Sequence, residues 1–241
     1  MDRRIKEISL KSSLSAIADL AMPRVCVVCG TPLIPQERHI CMNCLADMPL
    51  THFETMSHNP MADKFNSKVT DTRYCSAAAL YYYREEAGYK NISQALKYHR
   101  NFSAGEFFGR MLGEKLAAAP AFKDVDMVMP VPLHWTRKWK RGYNQAEIIA
   151  DVVSRTLDCR MDSKSLTRTR RTSSQTKMSG QDKDTNVASA FLCRPVTALH
   201  ILIIDDVFTS GATLAACHEA IRTACPASTR ISVATLAFVD D

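Results

Sequence analysis

The chain is expected to fold as an α/β protein, a mainly parallel central sheet flanked by helices, behind a small N-terminal metal-binding segment. Three observations predict this. Short aliphatic runs at Asp126–Leu133 and Ile201–Ile204 are too uniformly apolar for surface helices and fit strands covered on both faces. Each is followed by a loop and then a longer segment with helical periodicity, the alternation that builds parallel sheets. Two C-x-x-C pairs stand near the N-terminus.

The 241 residues suffice for one large domain, or a medium one with a small one attached. The reading divides them into an N-terminal helix and cysteine segment (1–50), a linker or irregular cover (51–75) and the α/β domain (76–241). There are 31 basic against 25 acidic residues, a net charge of +6. The excess lies in the middle of the chain, so that part is expected to face an anionic partner, either a polyphosphate or a nucleic acid. No apolar run is long enough to span a membrane, and no membrane partner is expected. Leu10, Leu14, Ile17, Ala18 and Leu20 recur at helical spacing, which reads as an amphipathic helix and not a signal peptide. A cytoplasmic chain with reduced cysteines follows from that reading.

Cys26 and Cys29 are separated by eleven residues from Cys41 and Cys44. Two knuckles of this kind offer four soft thiolates in a tetrahedral set, which suits Zn²⁺ in a closed, structural site. Gly30 can make the tight turn behind the first pair. Residues 51–73 are polar and carry His58-Asn59-Pro60. Ala77–Tyr83 reads as a strand, Tyr89–Tyr98 and Phe102–Ala119 as helices, the second stopped by Pro120. Asp126–Leu133 reads as a strand ended by Pro130 and Pro132, which place a loop at its carboxyl end. The basic stretch His134–Arg141 carries Trp135 and Trp139. It fits pyrophosphate, or single-stranded nucleic acid by stacking and charge. Gly142-Tyr143-Asn144-Gln145 then opens a helix to about Leu157.

Residues 164–186 are polar and basic, a candidate lid over an anionic ligand. Ala188–Cys193, Ile201–Ile204 and Ile231–Phe238 read as strands, and Thr213–Thr223 as a helix. Between the last two strands lies Asp205-Asp206-Val207-Phe208-Thr209-Ser210-Gly211-Ala212-Thr213. Small residues let the backbone approach an anion, Gly211 tolerates φ > 0, and the following helix adds its free N–H groups and dipole. Asp205 and Asp206 would repel a phosphate, so ribose hydroxyls or a hydrated Mg²⁺ suit them better.

This acidic pair and loop resemble the phosphoribosyl pyrophosphate (PRPP) motif of type I phosphoribosyltransferases. With the double C-x-x-C, Leu96-Lys97-Tyr98, Pro130-Val131-Pro132-Leu133, Arg141–Gln145, Arg171-Thr172-x-x-Gln175 and Asn186-Val187, the whole order resembles the ComF (ComF/GntX) family. The resemblance implies a type I phosphoribosyltransferase fold with a zinc-bearing N-terminal segment. It implies that Asp205, Asp206, Thr209, Ser210, Gly211, Ala212 and Thr213 hold the ribose and its 5′-phosphate. Val131, Pro132, Leu133, Arg137, Arg141, Asn144 and Gln145 would meet the pyrophosphate, with Mg²⁺ between. Catalysis, in such transferases, is charge stabilisation as pyrophosphate leaves, and Lys97, Arg170, Arg171 and Lys177 are the candidates. Lys183 stands where the family tends to carry Arg. The lid and loop are also similar to those of amidophosphoribosyltransferases, but the chain begins Met1-Asp2, without the N-terminal cysteine of their glutaminase. Some ComF proteins are associated with DNA uptake in natural transformation, beside a single-stranded-DNA helicase, so an adaptor role for DNA or a helicase is the alternative to PRPP binding.

Overall fold

A computed structural model describes residues 24–71, 73–84, 88–98, 101–133, 142–169 and 190–240. Its centre is a five-stranded parallel sheet built from β1 (Ala77–Tyr83), β2 (Met127–Pro130), β3 (Arg160–Met161), β6 (His200–Phe208) and β7 (Arg230–Val239), in the order β1-β7-β6-β2-β3. Two short strands, β4 (Leu166–Arg168) and β5 (Phe191–Cys193), pair antiparallel as a separate ribbon. The helices are α1 (Met42–Ala46), α2 (Pro60–Asn66), α3 (Lys90–Tyr98), α4 (Phe102–Ala118), α5 (Gln145–Thr156) and α6 (Ala212–Ala224).

The strand order places the functional edge. From β2 the chain passes through α5 outward to β3. From β6 it passes through α6 in the opposite direction to β7. Right-handed crossovers running opposite ways put α5 and α6 on opposite faces. α4 packs on α5 and on β1 and β7, while α6 packs on β6 and on the β4–β5 ribbon. The carboxyl ends of β2 and β6 therefore mark the switch point of the sheet, where open α/β sheets have the crevice that binds ligands.

Ile201–Ile204 is buried completely, as the aliphatic run requires. The strand does not stop there. β6 continues through Asp205, Asp206 and Val207 to Phe208, paired with Thr235, Ala237 and Phe238 of β7. The carboxylates thus belong to a paired strand, not to the loop. The opposite edge is pinned by His200, whose ring reaches Asp124 at 3.0 Å and Ser232 at 2.8 Å, while Asp126 accepts the Leu199 and His200 N–H groups.

The polar stretch 51–73 is more regular than its composition suggests. It contains a 3-10 turn at Phe53–Thr55 and the helix α2, with Asn59 capping the Ala62 N–H and Pro60 in the first turn. Met61, Ala62 and Phe65 are its buried face against β1. Asn59-Pro60 was the available signal. Asn59 also donates to Ala77 O, so the cap ties the helix to the edge strand.

α4 meets α5 through a stripe of small residues, Gly105, Gly109 and Gly113, spaced four apart. A Cβ at Gly109 would sit 3.4 Å from Ile149, near ordinary contact, whereas one at Gly113 would sit 2.9 Å from the Thr156 Cβ. Gly113→Ala is expected to cost about 1–3 kcal/mol through overpacking. Gly109→Ala is expected to be close to neutral, since Ala is worth up to about 1 kcal/mol over Gly in a helix. Urea unfolding of the two variants checks this, with the midpoint falling only for Gly113→Ala.

Candidate functional site

The crevice is built from the ends of β2 and β6 and the start of α6. β2 and β6 run in register, Pro130 opposite Ile204, and the Val131 N–H donates to Ile204 O at 2.8 Å. Pro130, the first of the two prolines, is the last residue of the strand. Val131 is buried, and its carbonyl accepts from Asn144 Nδ2 at 2.9 Å. Asn144 caps α5 with its other amide atom, accepting from the Ala146 N–H at 3.2 Å. Its side chain therefore clamps the strand end to the helix start. Gln145 is buried beside it. Tyr143 donates to Leu96 O and stacks edge-on against Phe102, with ring centres 4.7 Å apart.

After Phe208 the chain turns through Thr209 and Ser210, both exposed, to Gly211. Gly211 has φ +78°, and a Cβ there would strike the Phe208 ring at 2.6 Å, so both conformation and space require glycine. It is the N-cap of α6 and offers no side chain to the first turn. The helix begins at Ala212, with Ala212 and Thr213 half-buried; the Ala212 N–H lies 3.4 Å from Ser210 Oγ, and the first-turn N–H groups have no partner within the helix.

Because they are consecutive on a strand, Asp205 and Asp206 leave opposite faces of the sheet. Asp206 meets Lys97 from the end of α3, with Nζ and Oδ2 2.7 Å apart and both side chains largely buried, 27% and 13% exposed. Asp205 is on the α6 face, where its charge helps burial to push the Cys217 thiol up. Burial, with the neighbouring Asp206 charge, raises the Asp205 carboxyl well above the ordinary carboxylate range. The Asp206 N–H, which donates to it at 2.9 Å, and Lys97 oppose that rise. The pair therefore behaves as one compensated anion and one reluctant acid.

The structure brings Lys97, Asp205, Asp206, Thr209, Ser210, Gly211, Ala212, Thr213, Val131, Pro132, Leu133, Asn144 and Gln145 to the carboxyl edge of the sheet or the helix starts beside it. Arg137, Arg141, Arg170, Arg171 and Lys177 lie outside the described residues, as do the tryptophans of the basic stretch. Sequence reasoning saw the clamp role of neither Asn144 nor Tyr143. The signal for the first was an Asn directly before a periodic segment.

The four cysteines gather as expected. Their sulfurs all lie within 4.8 Å of one another, and Cys29 and Cys41 are 3.8 Å apart. The edge of a tetrahedron with 2.3 Å Zn–S bonds is also about 3.8 Å. Backbone N–H groups of Cys41 and Cys44 point at Cys26 and Cys41 sulfur at 3.4 and 3.5 Å, the outer contacts that orient thiolate ligands. Gly30, at φ +76°, closes the first knuckle with an N–H to Cys26 O. Thr31 draws the Cys29 thiol down to about 6 through its hydroxyl and N–H, while burial pushes Cys44 up. This cluster could hold a structural metal such as zinc. It rests on α3: Tyr89 donates to Cys44 O at 2.8 Å and Asn91 to Val28 O at 3.2 Å.

Fold and site together define a parallel α/β protein with an anion-type loop and acidic pair at its switch point and a four-cysteine cluster packed beside it. No family model matches the chain. It is similar to the DNA utilization protein YhgH of Escherichia coli O157:H7, 29% identical over 218 residues, covering 81% of this chain and 89% of that protein. The YhgH of Escherichia coli O6:H1 is 43% identical over 91 residues, 37% of this chain and 40% of its own length. Competence protein F of Haemophilus influenzae is 32% identical over 101 residues, 40% of this chain and 44% of that one. The last two matches thus span less than half of those relatives. These homologues support the ComF resemblance carried by the motifs. Among the described residues no helix is long and apolar enough to cross a membrane.

Asp205 gives a pH prediction. Its folded-state carboxyl titrates above its unfolded value, so ionising it destabilises the fold as pH rises through and beyond about 4. Asp205→Asn removes that cost. The variant is expected to melt higher than the parent at pH 7–8 and to match it near pH 4, read by thermal unfolding across pH.

Proposed function

We propose that this chain is a ComF-type protein of the phosphoribosyltransferase class that binds PRPP or a related ribose 5-phosphate at the switch-point crevice. One arrangement carries the reading: Asp205 and Asp206 lie near the end of the central strand β6, and five residues after Asp206 the N-terminus of α6 opens behind Gly211, which has no side chain to cap it. Carboxylates suited to ribose hydroxyls and backbone N–H groups suited to a phosphate are thus held at fixed spacing. Asp205 and Asp206 take the ribose side, and Thr209 to Thr213 the 5′-phosphate. The pyrophosphate, with Mg²⁺, is assigned to the β2 end from Val131 to Leu133 and to Arg137, Arg141, Asn144 and Gln145. Asn144 acts there by fixing the backbone it clamps. Transfer of the phosphoribosyl group is the reaction of this class. Lys97, Arg170, Arg171 and Lys177 are assigned to stabilise charge as pyrophosphate departs. The Asp205 carboxyl supports this reading, since burial and the Asp206 charge raise it and perturbed ionisable groups cluster at functional sites.

A second reading draws on the relatives. Proteins named for DNA utilization and competence suggest a role in DNA uptake. The basic excess in the middle of the chain suits single-stranded DNA or a helicase partner, with the fold as scaffold.

Calorimetry with PRPP and Mg²⁺ tests the first reading. Binding is expected in the parent and at least about tenfold weaker, or ~1.4 kcal/mol, in Asp206→Asn and Lys97→Met. No heat in the parent, or equal affinity in the variants, overturns it. For the second, DNA retention should fall as salt rises and on neutralising Arg137, Lys138 and Lys140. Retention that ignores both changes, or none at low salt, speaks against direct DNA binding.

A further inference from the structure

A second group of metal-type side chains lies at the opposite edge of the sheet from the crevice. Asp71 and Cys75 stand just ahead of β1, and His218 is in α6. His218 Nε2 is 3.0 Å from Asp71 Oδ2 and 3.8 Å from Cys75 Sγ, and Cys75 Sγ is 3.9 Å from Asp71 Oδ2. The circle through these three atoms has a radius of about 2.1 Å, within the range of Zn–N, Zn–O and Zn–S bonds. One ion slightly off their plane is therefore within bonding distance of all three without movement of the backbone.

We propose that Asp71, Cys75 and His218 form a second metal site, for zinc or a similar borderline divalent ion, with an exchangeable fourth position. The ligands are buried: Cys75 is 3% exposed, the His218 side chain 0% and that of Asp71 6%. A cavity of about 110 Å³ borders Asp71, Cys75 and Ser232 and has room for a water as fourth ligand. The other ring nitrogen of His218 is buried without a hydrogen-bond partner, with the Glu219 carboxylate 3.6 Å away as the nearest acidic group it faces. Arg222 also touches Asp71 Oδ2, while donating to the carbonyls of Pro226, Ala227 and Thr229. A divalent ion with the Asp71 carboxylate and Cys75 thiolate is neutral, and Arg222 balances Glu219, so the occupied cluster carries no net charge. Cys75 releases its proton to solvent on binding, and affinity therefore rises with pH.

The four-cysteine cluster and this site differ in thiolate count, which makes them separable. The apo full-length chain is titrated with Co²⁺, and zinc is counted by elemental analysis of the reloaded protein. Two ions per chain are expected. The second cobalt equivalent should add about a quarter of the thiolate charge-transfer intensity of the first, one thiolate against four. His218→Gln and Cys75→Ala should each lose only that weaker component, while Cys41→Ser should disrupt the stronger one. One ion per parent chain, or a second ion that survives both His218→Gln and Cys75→Ala, overturns the site. The parent titration decides the matter even where a variant fails to fold.

Discussion

The ion pair between Lys97 and Asp206 joins parts of the chain that are distant in sequence. A carboxylate at the end of a sealed strand is costly unless it is paired. Lys97 supplies that pairing from the last turn of α3. At its other end, Tyr89 just before the helix and Asn91 in its first turn hold the carbonyls of Cys44 and Val28 in the knuckles. Gly88 brings the chain so close that a Cβ there would lie 2.1 Å from Val28 O. A short helix with one end on the cysteine cluster and the other on the acidic pair makes the small N-terminal segment part of the site's support. Metal-binding free energy in such a segment is folding free energy, and here it bears on the helix that carries Lys97.

The rest of the architecture serves the same edge from the other side. α4 and α5 approach closely along their glycine stripe, which sets α5 against β2 and β6. Asn144 then fixes the α5 start to the β2 end, and Tyr143 ties that turn back to Leu96 in α3. Thus the residue before Lys97 receives a hydrogen bond from one crevice loop while Lys97 itself pairs with the strand of the other.

Much of this was legible in the sequence because the signals were local. Uniform aliphatic runs marked β2 and β6, Pro120 marked the end of α4, and the C-x-x-C spacing marked the cluster. What was not legible depended on pairing partners. Nothing in Asp205-Asp206 says that β7 continues alongside to Phe238, which carries β6 through both carboxylates and turns them to opposite faces. Nothing in Leu96-Lys97-Tyr98 says that Lys97 reaches Asp206, across more than a hundred residues. α2 was hidden by polar composition, since only Met61, Ala62 and Phe65 face inward. The Asp71, Cys75 and His218 group was invisible for the same reason: one of its three members arrives from the far end of the chain.

The opposite faces of Asp205 and Asp206 bear on how the crevice can act. Asp206, balanced by Lys97, can accept a hydrogen bond from a hydroxyl without gaining or losing charge. Asp205, held reluctant to ionise, can donate one as an acid or accept one as an anion, depending on what approaches. A phosphate beside either carboxylate meets repulsion, and attraction a few residues on at the start of α6. On the proposed function, strand and helix would sort the two ends of a phosphorylated sugar by charge. The β4–β5 ribbon adds the remaining boundary. Thr169 donates to Ala190 O at 2.9 Å, so the segment between them departs from and returns to one point on the α6 face.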